Sequence, residues 1–273
     1  MSHVARSNRH VVFGIADGVG GWQDQGIDPS HFSQGLCKYM AEAVSRPENE
    51  EDLRPKNVLQ KGYDQVMKDD KIVAGGSTAL GDSGLVILQP GKIAYKSEAQ
   101  THAFNTPYQL SKLTPKMQAQ QRIFGGSAAI SEEPKHSHVS NHELKTGDVI
   151  VLCSDGVLDN LSPMDILGVV SPIMEKAGYW TSTGSPEAQV NASHLSDSLG
   201  SGASNKDEKL PGLLAFAVHR EAKLASLDTK RDGPFAKEVH RYYPGEDYHG
   251  GKVDDISVVI CIAVQDVTPK AKL

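Results

Sequence analysis

Apolar positions along the chain fall into two periods. Val11–Ala16, Leu85–Leu88, Val149–Cys153 and Ile256–Val264 are short apolar runs rich in β-branched residues, the pattern of buried strands. Between them the spacing becomes helical. Phe32, Leu36, Tyr39, Met40, Ala43 and Val44 recur at intervals that line one helix face, with Asp28 as N-cap, Pro29 at the first position and Pro47 closing the run. A second helix is predicted over Asn57–Lys68, carrying Leu59, Tyr63, Val66 and Met67. A third opens at Ser162-Pro163 with the face Ile166, Leu167, Val170, Ile173 and Met174, and a fourth runs through Leu213–Leu227. GKIAYK reads as a further strand, with turns at Thr106-Pro107 and Gly147-Asp148. Strands and helices mix without a βαβ rhythm, so the fold class is α+β with largely antiparallel sheets.

Composition adds bounds. At 273 residues the chain can bury one large core, and 38% hydrophobic with 23% charged residues is ordinary for a soluble globular protein. Tyr179–Pro211 shifts to serine, glycine and charge, which predicts a disordered insertion around 179–211 within a single domain over 1–273. The net charge of −6 points away from nucleic acid as a partner, and no apolar run approaches the roughly 20 residues of a membrane span. Three separated cysteines, Cys37, Cys153 and Cys261, exclude a thiolate zinc site and suggest a reducing compartment. MSHVARSNRH has no apolar signal-peptide core, and the chain is expected to begin inside a domain.

Three acids stand where apolar strands begin or end. Asp17-Gly18 follows Val11–Ala16, Asp155-Gly156 follows Val149–Cys153, and Asp254-Asp255 precedes Ile256–Val264. The glycines of VVFGIADGVGGW do not form a phosphate cradle: Gln23 stands where a dinucleotide fingerprint needs glycine, and no Lys-Ser/Thr follows. Any single Asp-Gly is a common turn. Three carboxylates at strand ends form an oxygen-only donor set, which suits a hard cation such as Mg²⁺ or Mn²⁺. Hydrolysis at phosphorus by a metal-activated water follows, with no catalytic side chain acting as nucleophile.

Other residues carry plainer readings. His136, His138 and His142 fall in a polar loop and are expected to be exposed, Trp22 to pack beside the first acid, Ser77 and Thr78 to be sheet residues with satisfied hydroxyls, and Glu48–Asp52 to be a solvated loop.

With GIADGVGGW, GIDPSHFSQGL, GGSTALGDSG, FNTPYQLS, GDVIVLCSDGVLDN and GGKVDDISVVI, the sequence resembles the metal-dependent type 2C serine/threonine protein phosphatases, nearest to their mitochondrial branch. The resemblance implies a four-layer αββα sandwich of two antiparallel sheets flanked by helices, and two Mg²⁺ or Mn²⁺ ions per site. It implies phosphoprotein substrates and a mitochondrial location. By motif position Asp17 bridges both ions, the Gly18 carbonyl helps to bind one, and Asp155 and Asp254 complete the other. Asp82 and Asp159 match acids that hold a third metal in some members, and Asp255 stands beside a ligand. Three departures accompany these matches. Val19 replaces a frequent histidine, a trait of the branch. The chain starts after a Glu-bearing family strand, and GGSTALGDSG fuses two phrases across Leu80. The departures imply a fold lacking some family strands and leave two alternatives open: a catalytically impaired isoform or pseudophosphatase, and a scaffold that regulates a partner.

Overall fold

The computed structural model describes residues 2–6, 10–79, 82–124, 131–181, 184, 187–199 and 209–265. Its strands and helices follow in the order β1 (Ser2–Arg6), β2 (Val11–Ile15), α1 (Pro29–Ser45), α2 (Pro55–Lys68), β3 (Gly75–Ser77), β4 (Gly84–Gln89), β5 (Lys92–Lys96), β6 (Thr101–Ala103), β7 (Thr106–Pro107), β8 (Leu110–Lys112) and α3 (Pro115–Phe124). They continue through β9 (Val149–Cys153), α4 (Asp155–Leu158), α5 (Pro163–Lys176), β10 (Trp180–Thr181), β11 (Gln189–Val190), α6 (Ala192–Leu199), α7 (Leu210–Leu227), α8 (Pro234–Tyr242) and β12 (Val258–Ile262). Every ladder between named strands is antiparallel. The α+β class follows directly from these ladders and helices.

The chain divides into two compact units, residues 1–83 with 98–141 and residues 84–97 with 142–273. In the first, the Asp28 carboxylate accepts a hydrogen bond from the Ser30 amide at 2.8 Å and starts α1, as its sequence predicts. Phe32, Leu36 and Val44 are buried on the predicted face, and Phe32 and Leu36 join Leu59 and Val66 of α2 in one apolar cluster with Ala16, Cys37, Ile72 and Leu110. β1 pairs with β2, an element that the polar N-terminus does not announce. The expected turn at Thr106-Pro107 lies earlier, at Phe104-Asn105, where Asn105 takes φ 51°. Asparagine tolerates this left-handed geometry, which leaves Thr106-Pro107 free to pair with β6. The acidic loop is also more ordered than expected. Asn49 and Asp52 form a capping box on a short 3₁₀ turn, and Asp52 meets Lys61 at 2.8 Å.

The second unit is built on a four-stranded sheet in the order β12-β9-β4-β5. Cys153 pairs with Val258 on one side and Gly84 on the other, so β9 is central. Val86, Leu88, Val149, Val151, Cys153 and Ile260 pack with Ile166, Leu167, Val170 and Met174 of α5 and Leu214, Val218 and Ala222 of α7. Ser162 caps α5 through a reciprocal box with Asp165.

The expected disorder of 179–211 does not hold for its first part. Tyr179 and Trp180 are buried, Trp180 donates from Nε1 to the Gly147 carbonyl at 2.9 Å, and α6 buries Leu195 in the same core. Two aromatics and one leucine anchor a segment whose average composition is polar. Residues 200–208 lie outside the described residues, as do Leu80 and Gly81 of the fused phrase. Among the described residues no helix is long and apolar enough to cross a membrane.

Candidate metal centre

Hydrogen bonding along β9 continues past its end. The Ser154 amide donates to the Ser257 carbonyl at 3.1 Å, and its hydroxyl donates to the Asp255 carbonyl at 2.9 Å. This ties the start of α4 to the chain that enters β12. Asp155 is the first residue of α4, and Asp159 stands one turn later at its C-cap. Asp254 comes from the segment before β12. Their carboxylates present ligand atoms within 4.8 Å of one another.

Gly156 is required for this approach: a Cβ there would lie 2.3 Å from the Asp255 carbonyl oxygen. Asp255 itself is exposed, and its amide donates to the Asp254 carboxylate at 2.8 Å, which fixes that carboxylate's rotation. The Gly156 amide does the same for Asp155 at 2.8 Å.

Like charges packed this closely repel unless a cation lies among them. Lys252 supplies one. Its Nζ stands 2.6 Å from Asp159, 3.0 Å from Asp254 and 3.3 Å from Asp155, and 5.0 Å from the Phe235 ring centroid. Buried Asn160 holds the lysine backbone by donating to the Lys252 carbonyl at 2.8 Å and accepting from its amide at 2.9 Å. Burial pushes the Asp159 carboxyl up to about 6, against the opposing pull of the lysine. For Lys252, burial alone would lower the pKa, but the charges of Asp159 and Asp155 outweigh it and raise the ammonium above its ordinary value. The oxygen-only donor set and the ammonium already seated in it fit a hard divalent cation. Neither Lys252 nor Asn160 was singled out from sequence. The signal was available in GGKVDD, where a cation sits two residues from a proposed ligand.

Asp17, Gly18 and Asp82 belong to the first unit. Gly18 forms an isolated antiparallel bridge with Ser77, flanked by bonds from the Thr78 amide to the Asp17 carbonyl at 2.9 Å and from the Val19 amide to the Gly76 carbonyl at 3.1 Å. This pairing uses neither the Gly18 amide nor its carbonyl. A Cβ on Gly18 would meet the Pro29 carbonyl oxygen at 3.0 Å. Trp22 is buried. The expectation of satisfied hydroxyls at Ser77 and Thr78 fails. Both side chains are buried without a hydrogen-bond partner among the described residues, because the backbone takes up the pairing there. Asp82 lies half-buried at a turn before β4. His136, His138 and His142 are exposed.

Scanned against models of known protein families, the chain matches none. It is similar to curated proteins along nearly its whole length. The 5-azacytidine resistance protein azr1 of Schizosaccharomyces pombe is 32% identical over 278 residues, covering 95% of this chain and 79% of that protein. Protein phosphatase 2C homolog 7, mitochondrial, of Saccharomyces cerevisiae is 31% identical over 94% of this chain and 71% of its own length. The protein phosphatase PTC7 homolog of Xenopus laevis is 27% identical over 96% and 80%. Among solved structures, the photosystem II phosphatase PBCP superposes with a TM-score of 0.66 at 22% identity, covering 96% of this chain and 90% of that one. That likeness shows the fold, a mix of helices and antiparallel sheet.

Proposed function

Because the chain belongs to the type 2C protein phosphatases, in the PTC7 branch, we propose that Asp155 and Asp254 of the second unit would hold a divalent ion and that Asp17 and the Gly18 carbonyl of the first unit are metal ligands as well. The activity is that of the family: a metal-dependent protein serine/threonine phosphatase acting on phosphoproteins. The observation that carries the ligand assignment is the convergence of Asp155, Asp159 and Asp254 within 4.8 Å. Asp159 and Asp82 are each assigned as further, weaker metal ligands of their own unit. Mg²⁺ or Mn²⁺ matches the carboxylate and carbonyl donors better than a softer metal.

Bound divalent cations lower the pKa of a coordinated water and draw charge from phosphoryl oxygens. The protein's own groups supply position. Asp155 is oriented by the Gly156 amide, Asp254 by the Asp255 amide, and the two segments are stitched by Ser154. Burial pushes the nearby Cys153 thiol up to about 12, so it is no nucleophile at neutral pH. The single-domain organisation over 1–273 belongs to this proposal, as does a mitochondrial location, which rests on the name of the yeast relative. The reading as an impaired isoform draws no support from the site, where all three acids of the second unit converge.

Manganese-dependent hydrolysis of p-nitrophenyl phosphate and of a phosphothreonine peptide tests the assignment. Asp155→Asn and Asp17→Asn are expected to reduce both to background. Wild-type rates for either variant at saturating Mn²⁺ would remove that residue from the ligand set.

A further inference from the structure

The ammonium of Lys252 occupies the place where three carboxylates converge, and the chain holds it there by more than charge. Gly250 takes φ 91°, and a Cβ on it would lie 2.7 Å from the Thr229 Cα. A Cβ on Gly251 would lie 2.1 Å from the Ala225 carbonyl oxygen. Asn160 clamps the Lys252 backbone on both its amide and its carbonyl. The backbone is therefore fixed, while the side chain, a flexible four-carbon stem 20% exposed, keeps a route to solvent.

We propose that Lys252 is a built-in counter-ion of the acidic site that exchanges with the divalent metal. Without metal, the ammonium neutralises Asp155, Asp159 and Asp254 and holds α4 against the segment before β12. When metal binds, the lysine side chain leaves and the backbone stays. The same three carboxylates serve both cations, so metal affinity is set by competition within the chain, and the metal-free protein stays folded and ready to load. This inference rests on the metal-site reading above.

The full-length, chelator-stripped protein allows two measurements. The first is Mn²⁺ titration calorimetry and thermal melting of wild type, Lys252→Met and Lys252→Arg. Lys252→Met is expected to bind Mn²⁺ about tenfold or more tightly, a gain of about 1.4 kcal/mol. It is also expected to melt below wild type in EDTA, with the gap closing at saturating Mn²⁺. Lys252→Arg, which keeps the charge, is expected to track wild type. The second measurement needs no variant: reductive methylation of wild type read by mass spectrometry, with exposed Lys38 as internal reference. Lys252 is expected to be protected in EDTA and to become reactive as Mn²⁺ saturates. Mn²⁺ binding without any rise in Lys252 methylation overturns the exchange and leaves the metal site standing. Equal Mn²⁺ affinity in wild type and Lys252→Met does the same. No Mn²⁺ binding by wild type overturns both.

Discussion

Asn160 closes two hydrogen bonds on the backbone of Lys252 and donates a third to the Gly156 carbonyl at 2.9 Å. One buried amide thereby joins the end of α4 to the segment that carries Asp254. Asn160→Ala strands one amide and two carbonyls. Each buried unsatisfied group costs about 1–3 kcal/mol, and partial rewetting leaves a loss of about 2–4 kcal/mol, measurable by urea unfolding. An unchanged urea midpoint would show that the clamp contributes nothing.

Gly156→Ala forces a methyl group onto the Asp255 carbonyl oxygen, a backbone atom that cannot swing aside. Overpacking of this kind costs about 1–3 kcal/mol. Because the displaced segment carries Asp254, phosphatase activity is expected to fall more than stability. Melting temperature and turnover, measured on the same sample, check the two effects separately.

Neighbouring leucines on α7 provide a paired test of the core. Leu214 is fully buried and Leu213 is 52% exposed. Leu214→Ala is expected to cost about 2–5 kcal/mol. Leu213→Ala is expected to stay within about 0.5 kcal/mol of wild type. Equal losses in chemical denaturation would contradict the packing of α7 against the sheet.

The Asp232 carboxylate, 3.0 Å from His249 Nδ1, raises the imidazole above its usual pKa. A folded-state value above the unfolded one contributes stability that is fully present below about pH 6.5 and is lost as pH rises through the folded value. Wild type is therefore expected to exceed His249→Gln in melting temperature most at pH 5.5, with the difference shrinking toward pH 8.5. A difference that grows with pH would reverse the assigned sign.

Periodicity located the elements that have one clear apolar face. α1, α5 and β9 stand where Asp28-Pro29, Ser162-Pro163 and Val149–Cys153 place them. It failed where order depends on a few distant contacts. α6 follows from Leu195 entering a core assembled elsewhere, and β1 exists because β2 offers it a partner. β12 is shorter than its apolar run, Val258–Ile262 against the expected Ile256–Val264, and at its start Ser154 binds Asp255 and Ser257 of the chain before it. The acids were legible as strand-end carboxylates. Their counter-ion was not, because Lys252 gains its meaning only when Asn160, ninety-odd residues earlier, brings its backbone in.

β4 lies between β5 and β9, yet β9 is translated long after it. At about 5–20 residues per second, the roughly 60 residues separating Leu88 from Val149 leave β4 without its inner neighbour for on the order of 3–12 s. During that interval Val86 and Leu88, later fully buried, sit on a hairpin with one open edge. Until β9 emerges, that unpaired edge of β4 is a place where strand-to-strand association between nascent chains can start.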